Sequence, residues 1–251
     1  MQYFLSRASR AILARLARER TLCAFDFDGT LSPIVEHPDQ AGMRGQTRIL
    51  LGRLAALYPC VVVSGRSRAD VLGRLGGVKV ARVIGNHGAE TETTAQKPHR
   101  RVQQWKSSLE LHLGMLPGLW VEDKGLSLAV HYRQSPQKAE VRRRILAATR
   151  ELAQVRVFGG KQVVNLVVDR ARDKGEALAA ERHRLGCNWV LYLGDDQNDE
   201  DAFAMDGNVV PVRIGRKQRS QARYYLRTQA EIDKLLDLLV LLRAPVRPHP
   251  G

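Results

Sequence analysis

Cysteine is scarce in this chain: Cys23, Cys60 and Cys187 are the only three in 251 residues. An odd count at these separations matches neither a disulfide framework nor a zinc or haem spacing. A stapled secreted scaffold and a thiolate metal centre are thereby excluded, and reduced thiols in a cytoplasmic core are expected. Aromatic residues make up only 6%, too few for a surface that stacks successive nucleic-acid bases. No apolar run approaches the ~20 residues of a membrane-spanning helix, so no membrane partner is expected. The leading stretch MQYFLSRASRAILARLARER carries an arginine every few residues. That pattern interrupts the apolar region of a secretory signal, and export is not expected. Low-complexity tracts and internal repeats are lacking as well.

Acids are the scarcer charge, 26 against 40 Lys and Arg, which leaves a net charge of +14. A basic domain raises the question of nucleic acid. Here the arginines are spread along the whole chain rather than gathered in one run, and no nucleic-acid motif is present. A field of this sign also steers phosphorylated small molecules to a site. That is the use expected, with no nucleic-acid partner. At 44% hydrophobic and 26% charged, the chain suits one substantial core and a smaller module.

The rest is organised around Thr21-Leu22-Cys23-Ala24-Phe25-Asp26-Phe27-Asp28-Gly29-Thr30-Leu31-Ser32-Pro33. Leu22 to Phe25 is the short apolar run of a strand buried on both faces. It stops at a pair of carboxylates, Asp26 and Asp28, beside a Gly turn. Charges at the end of a buried strand are expensive unless something binds there. Ligands of open α/β sheets collect at that end. An Asp–Gly pair is also an ordinary turn, so the remaining chain has to decide. A carboxylate in this place can attack phosphorus, while a second can protonate the leaving oxygen and then activate water.

Other predicted strands end in a similar manner. Pro59–Val63 runs into Ser64-Gly65-Arg66, ahead of a helix predicted over Ser67–Leu75. A hydroxyl and free N–H groups between strand and helix suit an anion, although a Ser N-cap alone would read the same. Val80–Ile84 runs into Gly85-Asn86-His87-Gly88-Ala89-Glu90. Asp173-Lys174-Gly175 heads a helix predicted over Glu176–Arg184. A cation there opposes the helix dipole, and makes sense beside a phosphoryl group and a carboxylate. Trp189–Leu193 runs into Gly194-Asp195-Asp196-Gln197-Asn198-Asp199-Glu200-Asp201, five acids in seven residues. Capping and the dipole explain some of them. Their density at the mouth of a buried strand suits a hard divalent cation such as Mg²⁺.

Helices are also predicted over Leu5–Arg18, Gln46–Leu57 and Ala230–Leu242, the second with Ile49, Leu50, Leu54 and Leu57 inward. Val209–Val212 reads as a last strand, and the tail 245–251 as disordered. Between about 91 and 169 the pattern changes. A helix at Val102–Leu113, strands at Leu119–Glu122 and Leu126–Arg133, a helix at Pro136–Gln154 and strands at Val155–Phe158 and Gln162–Val168 follow one another. They make an α+β module, 91–169, inserted between two parts of a core, 1–90 and 170–251.

Asp26-Phe27-Asp28-Gly29-Thr30-Leu31 resembles the first signature of haloacid-dehalogenase-type phosphatases. Ser32-Pro33-Ile34-Val35 resembles their trehalose-6-phosphate phosphatase branch. Ser64-Gly65-Arg66, Lys174 and the Gly194–Asp201 block resemble the later signatures, in order. The resemblance implies an α/β fold, a doubly wound parallel sheet with an inserted α+β cap. It implies Mg²⁺-dependent hydrolysis of a sugar phosphate, trehalose 6-phosphate, through an aspartyl-phosphate. Asp26 would be the nucleophile, Asp28 the acid and base, and Lys174 the neutralising cation. Ser64, Gly65, Arg66 and Lys174 would hold the phosphate. The metal would rest on Asp26, Asp28 and Asp195, supported by Asp196 and Asp199. Glu122, Lys124, Arg133 and Lys161 resemble the cap pattern that grips the sugar, with Asn86 and His87 lining the site. Asn165 departs from that pattern, which has Glu four residues after the lysine. Asn carries no charge, so a less sharp choice between sugars is expected. A functional pairing with a trehalose-phosphate synthase is also implied. Another phosphorylated sugar (sucrose-, glucosylglycerol- or glycerate-linked) and a non-catalytic binding protein remain alternative readings. Intact Asp26, Asp28, Lys174 and Asp195 argue against the second of these.

Overall fold

Every side chain from Thr21 to Phe25 is buried, so this segment has to be a strand covered on both faces. It is the centre of a parallel sheet in the computed structural model, which describes residues 1–93 and 100–244. The first part of the chain supplies β1 (Gln2–Tyr3), α1 (Arg10–Arg18), β2 (Thr21–Phe25), α2 (Gly45–Ala55), β3 (Cys60–Val63), α3 (Arg68–Arg74) and β4 (Arg82–Ile84). The middle supplies α4 (Arg100–Leu113), β5 (Trp120–Asp123), β6 (Ser127–His131), α5 (Lys138–Thr149), β7 (Val155–Gly160) and β8 (Val163–Val168). The last part supplies α6 (Lys174–Arg184), β9 (Trp189–Gly194), α7 (Glu200–Phe203), β10 (Val209–Ile214), β11 (Tyr224–Leu226) and α8 (Glu231–Arg243).

The seven-stranded sheet has the order β1-β11-β10-β9-β2-β3-β4, and every pairing in it is parallel. Chain order runs outward from β2 to β3 and β4 on one side, and from β9 to β10 and β11 on the other. The reversal lies between β2 and β9, where a crevice opens at the strand carboxyl ends. Alternation along β2 feeds two cores. Cys23 and Phe25 pack with α2 and α8, while Leu22 and Ala24 pack with α6 and α7. Cys23, Cys60 and Cys187 are free and buried. No helix among the described residues is long and apolar enough to cross a membrane.

The middle part forms a second, antiparallel sheet, β5-β6-β8-β7. On one face Leu128, Val130, Val164 and Leu166 pack against Val102, Trp105 and Leu109 of α4 and Ile145 of α5. The opposite face carries the row Glu122, Ala129, Asn165, Phe158 and, two residues along, the row Trp120, His131, Val163, Gly160. The fold is thus the doubly wound α/β core with an inserted α+β cap.

Differences from the sequence-based expectations concentrate at edges. The helix predicted from Leu5 starts only at Arg10, because Gln2 and Tyr3 pair with Tyr224 and Tyr225 as an edge strand. Helix α5 is trimmed to Lys138–Thr149. Ile49, expected inside, is 60% exposed, since α2 turns Thr47, Leu50, Leu51 and Leu54 inward instead. The disorder expected for 245–251 lies outside the described residues.

Candidate active site

Four of the motifs singled out in the sequence meet at the β2–β9 crevice. Asp26 follows β2, and its N–H donates to the Leu193 carbonyl of β9 at 2.8 Å, which fixes it at the switch point. Lys174 opens α6, whose N-terminus is secured by a capping box between Asp173 and Glu176. The Lys174 ammonium, 1% exposed, donates to Asp26 Oδ1 at 2.8 Å and to Asp199 Oδ1 at 2.6 Å. Burial works against its charge, but Asp199 and Asp26 reverse that and raise it above the ordinary lysine value. Lys174 is therefore a permanent cation here.

Asp26, Asp195 and Asp199 are buried, and each offers an oxygen within 4.8 Å of the others. Burial pushes the Asp26 carboxyl well up, Lys174 pulls it back, and Asp199 and Asp195 push it up again. Asp195 is pushed up to about 6, by burial first, against the pull of Lys161 from the cap. Lys161 reaches from the β7–β8 turn and donates to Asp195 Oδ2. Three carboxylates thus share one buried ammonium and one half-exposed one. The cluster is short of positive charge.

Asp199 differs from its neighbours. Its Oδ1 accepts from Lys174 and from Tyr192 Oη, both at 2.6 Å, and its Oδ2 from the N–H groups of Asp195 and Asp196 at 2.8 and 2.9 Å. Those bonds use every lone-pair site of a carboxylate. Asp199 therefore shapes the site through Lys174 and the 195–196 main chain, rather than offering a free oxygen. Asp196 caps the turn that follows. Arg213, unrecognised in the sequence, is buried and donates to the carbonyls of Asp195 and Asp196. Its signal was a lone cation in the apolar strand β10.

Gly29 explains itself by space. Its φ is +79°, and a Cβ there would lie 2.2 Å from Asp195 Oδ2. Gly29→Ala is expected to destabilise the protein by about 1–3 kcal/mol, from the strained backbone and the displaced carboxylate. A denaturant titration that shows no change in midpoint would contradict this.

Asp28 lies at the opening of the site, and both its oxygens are held by the Arg66 fork at 2.7 and 2.8 Å. Arg66 also donates to Asp70 Oδ2 at 2.7 Å and to the Pro38 carbonyl at 2.9 Å. The structure thus joins Arg66 to the second carboxylate. Ser64 Oγ accepts the Arg66 main-chain N–H at 3.2 Å, and among the described residues its own proton has no acceptor. The Gly65 carbonyl accepts from Lys124 of the cap at 3.0 Å.

Asn86 acts as a joint between core and cap. Its amide N–H groups go to Glu90 Oε2 and the Lys124 carbonyl, and its Oδ1 accepts from Ser127. Those bonds occupy the groups the sequence reading assigned to lining the site. His87 is different: it is 5% exposed and its Nε2 has no hydrogen-bond partner among the described residues. Its ring meets Phe158 of β7 edge-on at 4.8 Å. Burial, then the charges of Lys124, Lys174 and Arg156, hold it well below the ordinary histidine value, against a small opposing effect of Asn165. His87 is a neutral imidazole. Gly65 leaves it room, since a Cβ there would lie 2.3 Å from its Cε1.

The cap covers this floor and encloses a cavity of about 630 Å³. Glu122 Oε2 sits 2.8 Å from His131 Nε2 and 3.6 Å from Lys124 Nζ. Burial would raise Glu122, but His131 and Lys124 lower it overall, so it is ionised. Arg133 donates to the Val35 carbonyl at 3.1 Å, and Asn165 is buried on the cavity side of β8. A second hollow of about 660 Å³ along α6 and α7 contains none of these groups.

Solved structures share the fold. The C-terminal domain of C. albicans trehalose-6-phosphate phosphatase superposes with a TM-score of 0.77 at 22% identity, covering 94% of this chain and 97% of that one. Among curated proteins, a trehalose-phosphate phosphatase of Mycobacterium avium is 38% identical over 204 residues, 75% of this chain and 52% of its own. A probable trehalose-phosphate phosphatase of rice, Oryza sativa, is 29% identical over 93% of this chain and 73% of its own. The chain therefore spans about half the length of the mycobacterial relative. The sequence profile described as trehalose-phosphatase matches residues 24–228, from the middle of β2 to beyond β11. With most of its length inside that match, this chain belongs to the trehalose-phosphatase family.

Proposed function

We propose that the protein hydrolyses trehalose 6-phosphate to trehalose and inorganic phosphate. The observation that carries the reading is the buried group of Asp26, Lys174, Asp195 and Asp199 lying directly beneath a capped cavity. An ion-pair network that served stability alone would need no cavity above it. The names of the curated relatives support the choice of substrate.

In this reading an Asp26 oxygen attacks phosphorus in line. An aspartyl-phosphate forms and the sugar alkoxide leaves. Lys174, held between Asp26 and Asp199, faces the charge on the phosphoryl oxygens, and the free Ser64 hydroxyl proton meets another of them. Asp28, once it has turned out of the Arg66 fork and taken up a proton from solvent, protonates the alkoxide, then takes a proton from the water that opens the acyl phosphate. His87, neutral and with Nε2 unpaired, adds a hydrogen bond at the cavity floor. Glu122, Lys124, Arg133, Lys161 and Asn165 meet the sugar hydroxyls, and the charged ones bind them more strongly.

The donor set fits a hard divalent cation, Mg²⁺. The carboxylates of Asp26 and Asp195 and the main chain at Asp28 are all oxygen donors. Three carboxylates there face one buried and one half-exposed ammonium, so the cluster is short of positive charge. Asp196 and Asp199 support that position. The chemistry supplied by such an ion is neutralisation of the charge on the transferring phosphoryl group.

Residues 91–169 are assigned to the cap and 1–90 and 170–251 to the core. Lys124, Arg133 and Lys161 close the cap on the core by their bonds to Gly65, Val35 and Asp195. Closure expels water from the cavity. A trehalose-phosphate synthase would supply the substrate.

Phosphate release from a panel of sugar phosphates tests the assignment. Trehalose 6-phosphate should lead, and a tenfold preference for another phosphorylated sugar in kcat/KM would overturn it. EDTA should abolish turnover and Mg²⁺ restore it, whereas Zn²⁺, which prefers nitrogen and sulfur ligands, should not. Full activity in metal-stripped, chelated buffer would refute the metal assignment.

A further inference from the structure

Trp120 belongs to none of the motifs above, yet it lines the cavity that holds Asp26 and Asp28. It opens β5, the edge strand of the cap sheet, and shares a face with Glu122 and Asn165. A single exposed aromatic is ordinary on a protein surface. This one is held differently. Its indole lies flat on the imidazole of His131, with ring centroids 4.1 Å apart and an interplanar angle of 8°. His131 in turn is fixed by Glu122 at 2.8 Å. The residue is still 44% exposed, so an immobilised aromatic surface is left facing the cavity mouth.

A flat apolar face ringed by polar groups has a particular complement. The C–H face of a pyranose is apolar and slightly positive, and the π-face of an indole is negative. The equatorial hydroxyls of such a ring point outward, where Glu122 and Arg133 stand on the same cavity wall. In the row Trp120, His131, Val163, Gly160 the far end adjoins Lys161, which bonds Asp195. Trp120 thus stands three strand spacings, about 14 Å, from that end and beyond the phosphorylated ring. We propose that Trp120, backed by His131, is a stacking platform for the second, unphosphorylated ring, and so selects disaccharide phosphates over monosaccharide phosphates. The proposal deepens the reading of the site given above and rests on it.

The test compares wild type, Trp120→Ala and Trp120→Phe on two-ring substrates, trehalose 6-phosphate and sucrose 6-phosphate, and on one-ring glucose 6-phosphate. Trp120→Ala should raise KM for the preferred two-ring substrate about tenfold with kcat unchanged, as loss of one aromatic contact would. Kinetics on glucose 6-phosphate should stay within about twofold, which also reports that the variant is folded. Trp120→Phe should recover most of the loss. Trehalose should change the tryptophan fluorescence of wild type but not of Trp120→Phe, which keeps Trp105 and Trp189. An equal loss on one-ring and two-ring substrates, an unchanged KM, or a fluorescence response that survives in Trp120→Phe would overturn the proposal. If wild type prefers a phosphorylated sugar other than trehalose 6-phosphate, the substrate assignment falls. The platform is then still judged by the ratio of losses on two-ring and one-ring substrates.

Discussion

Asp26→Asn is expected to lower kcat by a factor on the order of 10⁴ or more, while raising the stability of the metal-free protein. The neutral amide oxygen lacks the carboxylate's charge and is too weak a nucleophile to attack phosphorus, so the first covalent step is lost rather than slowed. The rise in stability follows from the electrostatics of the cluster. In the folded protein burial and the charges of Asp199 and Asp195 disfavour the Asp26 carboxylate, and Lys174 only partly compensates. An isosteric neutral amide removes that penalty, and Lys174 keeps its second partner, Asp199. The gain should be about 1–2 kcal/mol, the usual size when a strained functional group is neutralised. Denaturant titration in chelated buffer measures it beside single-turnover phosphate release. A folded variant with substantial Mg²⁺-dependent turnover would sink the nucleophile assignment. A fall in midpoint would show that the Lys174 pair outweighs burial.

The parts of this architecture that were legible in the sequence share one physical property. Strands β2, β3 and β9 are buried on both faces, so they read as uninterrupted apolar runs, and each ends abruptly in polar residues where the sheet meets the crevice. Asp26, Ser64 and Asp195 could be placed for that reason. Strands β1 and β11 could not. They are two and three residues long, and they exist as strands because Gln2 and Tyr3 lie beside Tyr224 and Tyr225. Pairing of that kind leaves no periodic trace.

Within the site, residue type was legible but the division of labour was not. Asp195 and Asp199 look alike in an acidic block. Only the short turn over Gln197–Asp199 brings Asp199 back under the 195–196 main chain and fills its oxygens. Asn86 stands in a turn with His87, both at positive φ. The fold gives Asn86 to the joint with the cap and leaves His87 facing the cavity. Arg66, expected on the phosphate, is tied to Asp28 by a contact that needs two distant segments to meet. Linear spacing carries none of this.

Lys174→Met should have the largest effect on stability of any single substitution in the site. Methionine fills a similar volume without charge, so the change removes the ammonium with little loss of packing. Asp26 and Asp199 then stay buried, 5% and 0% exposed, with no cation between them. Breaking a buried pair in this way costs about 3–5 kcal/mol, because the remaining charge is uncompensated. A chain of this length should lose about 2–4 °C of Tm for each kcal/mol, so a fall of roughly 6–20 °C is expected in chelated buffer. Asp199 should suffer less than Asp26, since Tyr192 and the N–H groups of Asp195 and Asp196 still hold it. That asymmetry makes a sharper test available. In the double variant Asp26→Asn with Lys174→Met, one of the two stranded carboxylates is already neutral. Its stability should therefore exceed the sum of the single effects by about 1–3 kcal/mol, as coupling between directly bonded partners requires. Four denaturant curves close the cycle. Additive effects would show that Lys174 and Asp26 do not interact energetically, and the ammonium would lose its place as the partner of the nucleophile.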